Sequence, residues 1–291
     1  MTPRLPDSKQ PEPDPTAPEA ATLVVRHARQ AILLTVALYG GYGLLRAALP
    51  GQDWLAVLLV GGFYLVPGWA LRDRVSWHEY AQVGPEIRLP PWSWRGGRLA
   101  LVTVSVVFPL FAVATFAFYW RACQADLSVL APVLWIEQFT PGDGSLEAFL
   151  GRLCRHHGGG FWPADWPLPA AWTAYGGLGF VSRVLEALFV AALPEEMFHR
   201  GYLMSALERR FPPRRRLLGV PFGVAAVLSS LLFAAGHLVG EARTDRLATF
   251  FPGLLFAWLW RRGGSIWAPT LVHATSNLFM QWLLAVTFAR G

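Results

Sequence analysis

Charge is what this chain has least of. Of its 291 residues only 15% are Asp, Glu, Lys or Arg, against 54% hydrophobic. A soluble domain carries nearer a quarter charged residues, so a freely soluble globular protein is excluded. Lysine is scarce beside arginine. The net charge of +6 gathers in short loops, where it reads as a topology determinant rather than a nucleic-acid footprint; no nucleic-acid partner is expected. Cysteine is almost absent. Cys123 and Cys154 are the only two, too far apart for a CxxC metal or redox motif, and the sequence leaves open whether they form a disulfide or are unrelated thiols. There is no HExxH. Ser229 and Ser230 lack the surroundings of a serine nucleophile. No inverted repeat of the transporter kind is visible, and the polar start does not read as a signal peptide.

What is there instead is apolar residue in blocks of membrane length, with mean hydropathy +0.35. The expected fold is all-α: a polytopic helical membrane protein of about seven helices, eight if one hides in 171–193. Residues 1–29 are expected to be a disordered cytoplasmic N-terminus, polar and rich in Pro, Asp and Glu up to about 22. Residues 30–120 hold three transmembrane runs (Ala31 to Leu49, Trp54 to Leu71, Leu99 to Trp120). Residues 121–170 form an extramembrane insert. Its apolar piece Leu127 to Ile136 is too short to span and suits an interfacial helix. Its loop histidines His156 and His157 are expected to be solvated, and its aromatics at 161–172 to form an interfacial belt. Residues 171–291 form a membrane core, with a long helical region from about Ala171 to Arg210 and runs at Leu218 to Val239, Leu247 to Trp260 and Ser265 to Phe288. With seven spans the arginine-rich pieces (the N-terminal flank, 72–98, 209–216 and 261–262) all fall on one side, cytoplasmic by the positive-inside rule. The insert and the C-terminus then lie outside.

One stretch of this greasy core carries charge: Glu195, Glu196, His199 and Arg200. A charge in hydrocarbon costs at least a few kcal/mol, so an intramembrane ionisable group is a functional-site hypothesis by default. Glu196 and Arg200 are four apart on a helix and can pair; Glu195 points roughly 100° away and is left free for chemistry. His199 is also four residues from Glu195; a structural role is the expectation for it. Two more helices bring polar groups: His237 beside small residues, and His273 with Asn277 on one helical face. Counted from the arginine-rich ends at 1.5 Å per residue, Glu195, His237 and Asn277 rise by about 20–25 Å, with His273 one turn lower. A carboxylate and an imidazole near a buried water can act as general base. A histidine and an amide on one face can donate hydrogen bonds to an oxyanion.

At these residues the chain resembles the CPBP family of intramembrane proteases, the CAAX-protease or bacteriocin-processing family. Its marks are EExxxR, FxxxH and HxxxN on successive helices, here Glu195-Glu196…Arg200, Phe233…His237 and His273…Asn277. The resemblance covers about 180–282. It implies that Glu195 activates water with help from His237, that His273 and Asn277 form the oxyanion hole, and that Glu196 and Arg200 support the site. No cofactor is favoured; the alternative is zinc held by Glu195, His237 and His273. The implied partners are the lipid bilayer and a membrane-anchored protein or peptide substrate, in the myxobacterial sorting-type (myxosortase-like) members one with a C-terminal sorting signal. The implied place is a bacterial inner membrane. Two rivals stand beside the protease: a non-catalytic bacteriocin-immunity or partner-binding member of the same family, and a transporter with a proton-relay Glu/His chain.

Overall fold

The computed structural model describes residues 17–52, 54–71, 92–124, 146–156, 160–162, 165–241 and 244–288. Eight helices and one hairpin make up its frame: α1 (Ala17–Ala48), α2 (Leu55–Leu71), α3 (Trp94–Gln124), α4 (Leu146–His156), α5 (178–210), β1 (Arg215–Leu217), β2 (Val220–Phe222), α6 (Val224–Glu241), α7 (Phe250–Gly263) and α8 (Trp267–Phe288). Each of the seven expected apolar runs is thus a helix, and the chain is a polytopic helical membrane protein. By length and composition α1, α3 and the stretch ending in α5 are able to cross a bilayer, and α2 and α6 are shorter apolar helices. From 178 onward α5 runs unbroken through the rest of 171–193.

Several boundaries differ from expectation. The helix α1 begins at Ala17, so residues 17–29 are helical rather than disordered, and residues 1–16 lie outside the described residues. Of the insert, Leu127 to Ile136 and His157 lie outside the described residues. His156 closes α4 instead of standing in a loop, and Cys123 and Cys154 form a disulfide with Cα atoms 5.2 Å apart, tying α4 to the end of α3. Leu150 and Leu153 of α4 are sealed. The long helix starts at 178, not near 171, because Tyr175, Gly176 and Gly177 all take positive φ and break the chain from the short turn Ala170–Thr173. The helix of the fifth apolar run, α6, starts at Val224, not near Leu218. Residues 215–222 turn back as an antiparallel hairpin whose tip, Leu218-Gly219, has φ of 48° and 81°. Two successive positive-φ residues make the tight turn whose twist matches paired strands.

The helix α5 is the axis of the fold. From Ala192 to Glu208 every residue except Glu195 is buried. A helix buried all round has neighbours on every side; α1, α2, α6 and α8 supply them here. Its ladder is not a plain α-helix: Glu186–Ala192 and Met197–Met204 are π-helical, with five-residue hydrogen-bond steps. Pro194 gives a reason for the first. It has no N–H to donate, so in that register the Phe189 carbonyl loses its partner, and Tyr64 Oη of α2 donates to it instead at 3.1 Å. In the second, the His199 carbonyl accepts from Ser229 Oγ (2.9 Å) and the Arg200 carbonyl from Ser205 Oγ (3.3 Å). Freed backbone acceptors at membrane depth are re-satisfied by nearby hydroxyls. Such π-turns cluster at functional sites, and this pair brackets Glu195 and Glu196. At the arginine-rich end Arg261 of α7 pairs with Glu208 of α5, its Nε donating to Oε1 at 2.9 Å.

Candidate active site

Arg200 organises the polar cluster. Its guanidinium and the Glu196 carboxylate are both fully buried. Nε lies 3.1 Å from Oε2, Nη1 donates to Oε1 at 3.2 Å, and Nη2 donates to the Gly253 carbonyl of α7 at 2.9 Å. The pair is held by one charge-assisted hydrogen bond, with the second oxygen and Nε in ion-pair contact. The expected i,i+4 pairing of Glu196 with Arg200 is therefore present, and it reaches further than expected: Glu196 Oε1 also accepts from His273 Nδ1 of α8 at 2.9 Å. An ionised carboxylate only accepts, so Nδ1 carries a proton. The other ring nitrogen, Nε2, faces Glu195 Oε2 at 3.8 Å.

The two adjacent carboxylates thus have opposite surroundings. Glu196 is sealed and held by two cations or donors. Glu195 is 20% exposed, and its Oε2 has no hydrogen-bond partner. Glu196 is enclosed by Arg200 and His273, while Glu195 keeps an unpartnered oxygen and partial access.

His237 joins through an aromatic hub. Its Nδ1 donates to the Phe233 carbonyl at 3.0 Å, leaving Nε2 with a free lone pair. The Phe233 ring lies 4.4 Å from the His237 ring, 5.8 Å from His273 and 5.1 Å from His199, with Arg200 Cζ 4.8 Å over its face. Phe256 of α7 stacks on His273 at 4.8 Å and also takes Arg200 against its face at 5.4 Å. The phenyl of FxxxH is therefore the spacer between three imidazoles and a guanidinium, and its face takes the Arg200 cation. Asn277 follows His273 by one turn of α8, half-buried, and its amide makes no hydrogen bond among the described residues. His199 bonds Tyr39 Oη of α1 through Nε2 at 2.7 Å. That partner was invisible in sequence, since nothing in α1 resembles a motif.

The zinc alternative meets a geometric obstacle. Nδ1 of both His237 and His273 is committed to an acceptor, as the outward nitrogen of a metal-bound histidine is. Among the described residues no three His, Cys, Asp or Glu side chains are placed to hold one ion.

Residues 177–279 match the family described as type II CAAX prenyl endopeptidase Rce1-like. The match begins at the glycine before α5 and ends within α8, so it contains all four acidic and imidazole side chains expected at the site, together with Arg200 and Asn277. No curated protein and no solved structure matches the chain. The likeness is to residues 177–279, and it supports an intramembrane protease of the CAAX type in this multi-pass frame.

Proposed function

We propose that the protein hydrolyses a peptide bond near the C-terminus of a membrane-associated protein, using water activated by Glu195. The observation that carries this is the single unsealed position on the buried axis, a carboxylate whose neighbour is fully neutralised. Glu195 and the free Nε2 of His237 accept a proton from water as it attacks the scissile carbonyl. The tetrahedral oxyanion takes hydrogen bonds from His273 Nε2 and the Asn277 amide. Donation from Nε2 requires the ring to carry both protons. In that form two carboxylates face one guanidinium and one imidazolium, and the buried set carries no net charge, the condition under which such a set is least costly in low dielectric. Collapse of the intermediate breaks the C–N bond. The proton held by Glu195 and His237 passes to the leaving amine, giving one new carboxylate and one new amine for each water consumed.

The topology that suits this reading has the N-terminus and the arginine-rich loops in the cytoplasm of a bacterial inner membrane. The Cys123–Cys154 disulfide supports an outer position for the insert, because disulfides persist in oxidising compartments. An outward-facing site fits a sorting-type substrate, in which a short motif precedes a membrane helix and a basic tail. The test is co-reconstitution with a reporter carrying such a C-terminal anchor, beside a farnesylated CAAX peptide, with products identified by intact mass. Cleavage at the anchored motif is the expected result. Cleavage of the farnesylated peptide alone would replace the sorting reading with tail trimming, and cleavage of neither would return the protein to the immunity or binding class.

A further inference from the structure

Tyr39 stands outside the matched domain and yet touches three of the helices that frame the site. It belongs to α1 and is 7% exposed. Its hydroxyl lies 2.7 Å from His199 Nε2 on α5. Its ring meets Phe63 of α2 edge-on at 5.8 Å and lies over the His199 ring at 5.9 Å. At its hydroxyl end the ring presses against Gly236 of α6. A Cβ built on Gly236 would collide with three carbons of the Tyr39 ring, so only glycine admits the tyrosine there. The next residue is His237.

The hydroxyl is the one hydrogen-bond partner of this ring among the described residues. His199 is completely buried and its Nδ1 has no partner, so the bond to Tyr39 Oη is what fixes the imidazole, four residues along from Glu195, whichever of the two atoms donates. The His199 ring in turn abuts Phe233, the hub that carries His237 and His273.

We propose that Tyr39 is a positioning residue for hydrolysis: anchored on His199 and wedged against Gly236, it sets the spacing between the helix bearing Glu195 and the helix bearing His237. The proposal rests on the protease reading of this site. It makes α1, which carries none of the family's motifs, an obligatory part of the active structure. A carboxylate and an imidazole that share one water must be held to within a fraction of an ångström; a displacement of about 1 Å costs as much as a hundredfold in rate.

The test compares wild type, Tyr39→Phe, Tyr39→Ala and Glu195→Gln on the anchored reporter and the farnesylated peptide, reading kcat and KM separately along with the thermal midpoint. Leu44→Ala serves as control, since Leu44 lies on α1 with 74% of its surface exposed. The expected result for Tyr39→Phe, which keeps the ring and removes only the hydroxyl, is a kcat about tenfold lower with KM and midpoint near wild type. Tyr39→Ala, which also removes the wedge, should lose about a hundredfold. Wild-type kcat in Tyr39→Phe, with Glu195→Gln inactive, overturns this inference alone. A loss of activity that only tracks a fallen midpoint also overturns it, in favour of a purely structural tyrosine. Equal cleavage by wild type and Glu195→Gln, or cleavage by neither, removes the protease reading and this inference with it.

Discussion

The Glu196–Arg200–His273 set allows stability and catalysis to be separated by one pair of variants. Arg200 makes three polar contacts at zero exposure: two to Glu196 and one to the Gly253 carbonyl. Removing it as Arg200→Ala leaves a sealed carboxylate facing only an imidazole, and leaves the Gly253 carbonyl without its guanidinium. Breaking one side of a buried pair costs about 3–5 kcal/mol. The double variant Glu196→Gln/Arg200→Met removes both charges with little change in volume. Replacing a buried pair by neutral groups is often close to neutral, so most of the lost stability should return. Activity should not return, because His273 Nδ1 then lacks the carboxylate that aims the ring; a loss of at least about tenfold is expected. SDS-titrated unfolding in mixed micelles reads the first quantity and reporter cleavage the second. A double variant as unstable as Arg200→Ala, or one with wild-type cleavage, would refute the assignment of Glu196 as a structural carboxylate that orients His273.

Three further outcomes follow from the same geometry. His237→Ala should fold normally, since its side chain is half-buried and bonds only the Phe233 carbonyl, and cleavage should fall by about 10²–10⁴, the range for a lost general base. Gly236→Ala should destabilise by about 1–3 kcal/mol through overpacking on the Tyr39 ring, read as a lower unfolding midpoint. Cys123 and Cys154 should resist an impermeant maleimide until reduction and then label from outside the cell. Closing a loop of sequence separation 31 stabilises by about 3.5–4 kcal/mol in the chain-entropy view, so reduction should also lower the midpoint. Labelling only after the membrane is breached would invert the proposed topology.

The parts of this architecture that were legible in sequence are those written in periodicity and composition. Seven apolar runs became seven helices because a bilayer-length apolar block has few other solutions. Glu196 and Arg200 paired because four residues of helix put them on one face. What escaped was set by contacts between distant segments. Leu218 reads as the start of a helix, yet with Gly219 and the flanking prolines it becomes a hairpin tip. The π-turns around Glu195 depend on hydroxyls from Tyr64, Ser205 and Ser229, two of them on other helices. The tie between Glu196 and His273, 77 positions apart, reassigns a carboxylate expected to serve Arg200 alone. Tyr39 was hidden because its meaning lies in Gly236 and His199, neither of which points to it along the chain. A glycine directly before a membrane histidine was the one available hint of a large side chain packed from across the bundle.

The central claim is that Glu195 activates the attacking water. It is tested most directly by cleavage of the anchored reporter by purified wild type and Glu195→Gln, each with and without a strong chelator. The account predicts cleavage by wild type that survives the chelator and disappears in Glu195→Gln while the fold is retained. Equal cleavage by the two proteins would contradict it, and chelator-sensitive cleavage restored by one metal would turn the same carboxylate into a ligand.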